Sequence, residues 1–254
     1  MYAEERQQAI AGLVAAAGRL SVIELAEKYA VTTETIRRDL SMLERAGLVR
    51  RVHGGAVPAH ALSVLETAVS DRDRASVAEK DRIAHAALDL VPDHGSVVLD
   101  AGTTTARLAA LIPVDRRLEV ITHGVPIAAR LAGHPSIGLR LLPGRVRPTT
   151  QAAVGEDTVE ALSRLLVDVA FIGTNGISVG HGLSTPDHSE AAVKRAIVKG
   201  ARQVICLADA GKLGEEHLVS FASLQEVDVL VTDSRATQDQ LAPVIEAGVK
   251  VVVA

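Results

Sequence analysis

The 254-residue chain has no tryptophan, two tyrosines and two phenylalanines, so aromatic residues make up only 2% of it. That scarcity argues against the aromatic base-stacking platforms that hold single-stranded RNA. One cysteine, Cys206, excludes an internal disulfide framework and suits a reducing compartment. No apolar run reaches the length of a membrane span, and the stretch Leu165–Ile172 is interrupted by Asp168. The opening Met-Tyr-Ala-Glu-Glu-Arg lacks the basic and apolar regions of a secretory signal. A Walker phosphate loop, a dinucleotide fingerprint and the his-x-x-x-his or cys-x-x-cys spacings of metal sites are also missing. The expectation is a soluble cytoplasmic protein with no cofactor and no metal.

Hydrophobic residues at 48% and charged residues at 23% give the balance of a folded chain with a substantial core. The net charge of −4 conceals a split. Residues 1–58 carry eight Lys/Arg against seven Asp/Glu, whereas the remainder carries nineteen against twenty-four. Within the first part, residues 35–58 gather Arg37, Arg38, Arg45, Arg50 and Arg51 against Asp39 and Glu44. A basic stripe on an acidic protein can hold a phosphate backbone that the rest of the surface repels. On charge alone, a solvated helix face explains it equally well.

Periodicity adds more. Ile10, Leu13, Val14 and Ala17 share one helical face, which Gly18 can end. Ser21-Val-Ile-Glu24 has the capping-box pattern and opens a short second helix carrying Leu25, Ala26 and Tyr29. Thr32 or Thr33 can cap a third, with Ile36, Leu40 and Leu43 as its core face and Gly47 as its stop. Leu48 to Val57 then reads as two β-prone runs around a Gly-Gly turn, a hairpin wing. The third helix turns short hydroxyls and guanidinium groups outward, groups that reach base edges and phosphates. With the residues at both helix starts, the expected DNA-facing set is Ser21, Thr32, Thr33, Thr35, Arg37, Arg38, Ser41, Arg50, Arg51 and His53. The bland alternative is a helical-hairpin interaction module with Glu34 and Arg38 as an ion pair. The ordered succession of helix, turn, capped helix, arginine pair and basic wing disfavours it.

Beyond an irregular stretch, Ala59–Val77, apolar strands alternate with helices. Lys80–Val91 and Thr103–Leu111 are helical in pattern. Ser96–Leu99, Leu118–Thr122, Ile137–Leu142, Val167–Ile172, Gln203–Ala208, Val227–Thr232 and Val249–Val253 read as strands. This predicts a doubly wound, mainly parallel α/β sheet covered on both faces. Several turns follow the strands: Asp100-Ala-Gly-Thr-Thr-Thr105, Thr122-His-Gly124, Gly173-Thr-Asn-Gly176 and Ala208-Asp-Ala-Gly-Lys212. Ligands in open α/β sheets sit at such carboxyl ends, and a helix N-terminus behind Gly102 favours an anion.

The run Val31-Thr-Thr-Glu-Thr-Ile-Arg-Arg-Asp-Leu, then Leu48-Val-Arg-Arg-Val-His-Gly-Gly-Ala, resembles the winged helix-turn-helix of the DeoR/GlpR family of bacterial transcription regulators. The resemblance continues through Asp100-x-Gly-Thr-Thr, Asp168–Phe171, Gly182-Leu-Ser, Glu190-x-x-x-Lys194 and Ala208-Asp-Ala-Gly-Lys212, and so covers almost the whole chain. It departs at Gly144-Arg145, where the family has gly-gly, and at Gly211, where the family has serine before the phosphate lysine.

What the resemblance implies is a winged helix-turn-helix over 1–58, a linker over 59–75, and an effector-binding and oligomerisation domain over 76–254 that resembles ribose-5-phosphate isomerase. Asp100, Gly102, Thr103, Thr104, Thr105 and Lys212 would hold a phosphorylated sugar, with Asn175, Glu190 and Lys194 nearby. Fructose-1-phosphate is the expected candidate. The partners would be double-stranded operator DNA and further copies of the chain in a homodimer or homotetramer, and the function repression of sugar-catabolism genes. The rival class is a sugar-phosphate isomerase with a DNA-binding appendage. The isomerases this domain resembles carry an Asp-rich loop and a Lys-Gly-Gly-Gly run. Here the corresponding stretches read Gly173-Thr-Asn-Gly176 and Leu183-Ser-Thr-Pro186, so no catalytic residue is assigned.

Other groups invite blander readings. His181, Asp187 and His188 share one loop and are taken as surface residues. Cys206 is taken as a buried small hydrophobe, and Asp233-Ser234 as a helix cap.

Overall fold

The computed structural model describes residues 3–17, 20–52, 54–58 and 68–254, and the chain divides into two compact units, Met1–Leu62 and Ser63–Ala254. In the first, α1 (Ala3–Ala17), α2 (Val22–Tyr29) and α3 (Thr33–Arg45) surround a small sheet of β1 (Leu20–Ser21), β2 (Val49–Val52) and β3 (Gly55–Pro58). The sheet order is β1-β3-β2, antiparallel throughout. Ile10 and Val14 of α1, Leu25 of α2 and Ile36, Leu40 and Leu43 of α3 are buried together with Val49 and Ala56. The other two residues expected on the core face of α1 lie further out, Leu13 half-buried and Ala17 exposed.

Local signals place the helix ends. Ser21 and Glu24 form the reciprocal capping box of α2. Thr32, not Thr33, caps α3 by accepting the Thr35 N–H at 3.2 Å. The two glycines of the wing have different tasks. Gly54 turns in the left-handed region at φ 77°, whereas a Cβ on Gly55 would overlap the Leu20 carbonyl and Ser21 Cα. Only glycine permits β3 to approach β1 so closely.

The second unit begins with α4 (Val69–Arg74) and α5 (Val77–Leu88), followed by β4 (His94–Leu99), α6 (Thr103–Leu111), β5 (Arg117–Thr122), α7 (Val125–Leu131) and β6 (Ile137–Leu141). After a hairpin of β7 (Arg145–Arg147) and β8 (Ala152–Val154) come α8 (Glu156–Ser163) and β9 (Val167–Gly173). Next are β10 (Gly176–Ser178), β11 (Gly182–Thr185), α9 (His188–Lys199), β12 (Ala201–Leu207), β13 (Val219–Ala222), β14 (Val229–Thr232), α10 (Gln238–Glu246) and β15 (Lys250–Val253). Residues 59–67 lie outside the described residues, and the rest of the expected linker is α4 and the turn into α5.

All seven runs read as strands enter one parallel sheet, order β15-β14-β12-β9-β4-β5-β6. Their side chains alternate between two cores. Val97, Leu99, Val169 and Phe171 face one cluster, and Val98, Ala170 and Ile172 face the other. Burial on both faces explains why these strands are apolar at almost every position. The chain enters at β4, winds outward through β6, then returns to β9 beside β4 and winds the other way. The boundary between β4 and β9 is therefore the topological switch point, where diverging connections open a crevice at the strand ends. Three further strands, β10, β11 and β13, form an antiparallel sheet, each too short to show a strand period in the sequence.

Candidate functional site

On the first unit, Thr32, Thr35, Arg37, Arg38, Ser41, Arg45 and Arg51 line one broad, shallow groove along α3. Arg37 makes an exposed pair with Glu34 at 3.1 Å, so the i,i+3 partner takes the carboxylate that Arg38 was the candidate to bind. Ser41 joins helix to wing: its hydroxyl donates to the Arg37 carbonyl at 2.8 Å and accepts from the Arg51 guanidinium at 2.7 Å. Arg45, counted in the basic stripe but not among the DNA-facing residues, belongs to the same groove. Ser21 and Thr33 do not line it, and the Ser21 hydroxyl is engaged in the α2 cap. The Arg50 side chain and His53 lie outside the described residues.

Beneath the groove, Asp39 is buried and accepts from Arg6 Nε at 2.6 Å and Gln7 Nε2 at 2.9 Å. In the sequence Asp39 enters only the charge balance of the basic stripe. Its partners lie 33 and 32 residues away, beyond any local pattern.

On the second unit, a pocket opens at the β4/β9 switch point. Its walls include Gly102, Thr103, Thr104 and Thr105 from the start of α6, Gly173 to Asn175 after β9, Glu190 and Lys194 from α9, and Asp209 and Lys212 after β12. The first N–H groups of α6 lack intrahelical acceptors, as at every helix start, and no side chain caps them. Eight of the nine residues expected to hold the effector line this pocket.

Asp100 is the exception: it is fully buried, does not line the pocket, and has both oxygens engaged. Its Oδ2 accepts from Lys194 Nζ at 2.5 Å and from Gly173 N–H at 2.8 Å, while Oδ1 faces His123 Nε2 at 2.9 Å. Burial pushes this carboxyl up, but Lys194 and the His123 hydrogen bond outweigh it and hold it at about 2. Asp100 thus ties β4, β9 and α9 together at the switch point. Thr105 is also turned away: its hydroxyl donates to the Asp100 and Gly102 carbonyls at 2.6 and 3.0 Å. Glu190 is gripped by Arg147 at 2.5 Å and by the Thr150 hydroxyl. Asn175 accepts from Thr185 Oγ1 at 3.1 Å.

Two cationic residues of the pocket carry no signal of that role in the sequence, Arg72 of α4 and Lys80 of α5. Buried Lys80 donates to the Arg72 carbonyl and, at 2.8 Å, to the Ala75 carbonyl. Burial lowers its pKa to about 8, assisted by Arg107, Lys212 and Arg72 and opposed by Asp209. Asp233 was read as a helix cap, but Thr237 caps α10. Asp233 instead accepts the Ala210 N–H at 2.8 Å and so positions the turn that carries Lys212.

The remaining polar candidates are engaged elsewhere. His181 Nε2 lies 2.8 Å from the His217 carbonyl, and Asp187 caps α9 and pairs with Arg147. Asp168 sits at the opposite end of β9, where it accepts from Ser96 N–H and Oγ. Burial raises the Cys206 thiol to about 12, so it is no nucleophile at neutral pH.

A winged helix-turn-helix joined in one chain to an α/β unit with a cationic pocket at its switch point defines a DNA-binding transcription regulator. Residues 6–61 match the DeoR-like helix-turn-helix domain and residues 75–234 the DeoR C terminal sensor domain. The chain belongs to the DeoR family of transcription regulators. It is 35% identical over 252 residues to the HTH-type transcriptional regulator GlpR of Haloferax volcanii, covering 99% of this chain and 98% of that one. It is 31% identical over 234 residues to the glycerol-3-phosphate regulon repressor of Escherichia coli K12, 92% of each chain. Ribose 5-phosphate isomerase A from Methanocaldococcus jannaschii aligns over 52% of each chain at 18% identity with a TM-score of 0.38, a likeness that carries no functional argument. Among the described residues, no helix is long and apolar enough to cross a membrane.

Proposed function

We propose that this regulator is a repressor of sugar-catabolism genes whose operator binding is modulated by a phosphorylated sugar seated in the switch-point pocket. The observation that carries the reading is the charge state of the pocket. Lys194 is paired with Asp100, and Glu190 with Arg147. Arg72, Lys80 and Lys212 line the same pocket with no carboxylate in salt-bridge contact among the described residues. Cations beside the uncapped start of α6 suit a phosphate dianion. The similar Escherichia coli protein is named for a glycerol-3-phosphate regulon, which agrees with a phosphorylated small molecule.

The groove of α3 and the wing serve as the DNA-reading surface, with Arg37 and Arg38 toward base edges and Arg51 toward backbone. An operator of two half-sites requires two reading heads, so the working form is a homodimer or homotetramer. The reading assigns no catalysis. Aldose–ketose isomerisation needs a free carboxylate base, and the two carboxylates that line the pocket are engaged, Glu190 by Arg147 and Asp209 by the Gly211 N–H and Arg235. Turnover of pentose or hexose phosphates by the purified protein would reverse that assignment.

The test is a panel of sugar phosphates, fructose-1-phosphate and glycerol-3-phosphate among them, against the free sugars and glycerol. A phosphorylated compound, and not its free counterpart, should raise the melting temperature and shift operator affinity in fluorescence anisotropy. Lys212→Ala should remove that response while leaving ligand-free operator binding intact. Equal responses from both proteins would take Lys212 out of the site, and silence toward every phosphorylated compound would end the sensor reading.

A further inference from the structure

The effector pocket has a wall that the sequence assigns to no ligand. It is built from the segment Val69–Ser76, which is the part of the chain that leads into the α/β unit from the DNA-reading unit. Arg72, Ala75 and Ser76 line the pocket, and Lys80 one turn into α5 stands beside them.

Three tethers hold this segment against the unit. Val69 N–H donates to the Thr149 carbonyl at 2.8 Å. Asp73 receives Arg107 of α6 at 2.5 Å, and the same guanidinium reaches Asp81 of α5 at 2.9 Å. The Lys80 ammonium holds the Arg72 and Ala75 carbonyls. The first two tethers are complete, but the third is not. A buried ammonium pinned by neutral carbonyls, with the Asp209 carboxylate acting on it only from beyond ion-pair distance among the described residues, is incompletely compensated. Arg72 Nε is likewise buried, with no hydrogen-bond partner among the described residues. A buried guanidinium N–H without an acceptor costs free energy that an anion in the pocket would recover. Ser76, where the segment turns into α5, adopts φ 51° without being glycine. Such strain persists where the surroundings hold a residue in place, and it makes the turn a natural point of movement.

We infer that Arg72 and Lys80 are ligands of the effector's anionic group, so that binding clamps the segment Val69–Ser76 onto the pocket beside the start of α6. The inference rests on the phosphate-binding reading of this pocket and deepens it. An anion seated between the α6 N-terminus and Lys212 on one side and Arg72 and Lys80 on the other bridges the unit's body to its entering segment. The bound charge then acts on the stretch of backbone that connects to the DNA-reading unit, without passing through the sheet.

Hydrogen–deuterium exchange of the full-length protein, with inorganic phosphate as the probe and chloride at matched ionic strength as control, tests this. In the wild type, phosphate should slow exchange both in 69–76 and in 102–106. Added charge-assisted hydrogen bonds on the segment should give about tenfold slowing there. In Arg72→Gln the slowing of 102–106 should persist at saturating phosphate, while that of 69–76 falls to within about twofold of the ligand-free rate. Lys80→Met, which keeps the buried stem, should behave the same way. Equal slowing of 69–76 in wild type and both variants would overturn the inference, as would phosphate protection confined to 102–106 in the wild type. Protection of neither segment in the wild type would overturn the phosphate-pocket reading itself, and this inference with it.

Discussion

Removing the Asp39 carboxylate should unfold the DNA-reading unit selectively. Asp39 is 3% exposed and binds Arg6 through Nε at 2.6 Å and Nη2 at 3.3 Å, with Gln7 as a third donor. These bonds fasten α1 to α3, the two helices that bring Ile10, Val14, Ile36 and Leu40 together. In Asp39→Ala the Arg6 guanidinium, itself 12% exposed, keeps its charge and loses its partner. Breaking a buried pair this way costs roughly 3–5 kcal/mol, and the lower end applies because Arg6 can swing partly into water. A folded unit of this size retains on the order of 3–9 kcal/mol in total. A loss of about 3 kcal/mol should lower its melting temperature by roughly 12–24 °C. The sequence supplies a selective reporter. Both tyrosines, Tyr2 and Tyr29, lie in the first unit and there is no tryptophan, so tyrosine fluorescence of the full chain follows that unit alone. Far-ultraviolet circular dichroism follows the whole molecule. The expected result is an early tyrosine transition and lost operator binding, with the main dichroism transition unchanged. Arg6→Met/Asp39→Leu should recover most of the stability, because apolar replacement of a buried pair is close to neutral. A tyrosine transition in Asp39→Ala within about 3 °C of wild type would refute the reasoning, since that corresponds to less than about 1 kcal/mol.

The remaining predictions concern the wing, the reading helix and the buried charge cluster. Gly55→Ala should force β3 away from the Leu20 carbonyl, destabilising the first unit and weakening operator binding by anisotropy, while Gly54→Asn, a residue that tolerates left-handed backbone, should be mild. Arg37→Ala or Arg38→Ala should lower specific operator affinity by roughly 1–3 kcal/mol wherever a base contact is lost. A variant that loses only a phosphate contact should weaken all sequences alike and flatten the salt dependence, and unaltered binding by the double variant would exclude this helix as the reader. Asp100 holds its proton more weakly in the fold, at about 2, than an ordinary aspartate does at 3.8. Its contribution is therefore complete above about pH 4 and lost as the pH falls through about 2, and in Asp100→Asn that part of the acid-unfolding curve should flatten. Asp100→Asn should also lower the stability of the α/β unit at pH 7 by roughly 3–5 kcal/mol, because Lys194 stays buried without its counter-ion. Denaturant unfolding followed by circular dichroism reads both effects.

Much of this molecule is written in short-range patterns. The Ser21–Glu24 capping box, the Ile36, Leu40 and Leu43 face, the Gly-Gly wing and the seven apolar runs all rest on neighbours within a few residues. Capping and helix periodicity are interactions within one turn, and strands buried on both faces must be apolar wherever they lie. These signals determined the winged head, the doubly wound sheet and the strand ends at which a ligand would sit. Only the tertiary structure decided what each polar group does there. Asp100 and Lys194 are 94 residues apart, and they meet because β9 returns beside β4 and α9 packs against the same boundary. That crossing turns an expected ligand residue into a buried strut. The fold also brings Arg72 into the pocket from a segment that carries no periodic signal and Lys80 from a helix whose pattern marks only its apolar face, and it sets Asp233 behind the Lys212 turn. The physical reason is the same in each case. A charged side chain taken out of water must find its partner wherever the fold supplies one, and a partner distant in sequence leaves no mark on the residues beside it.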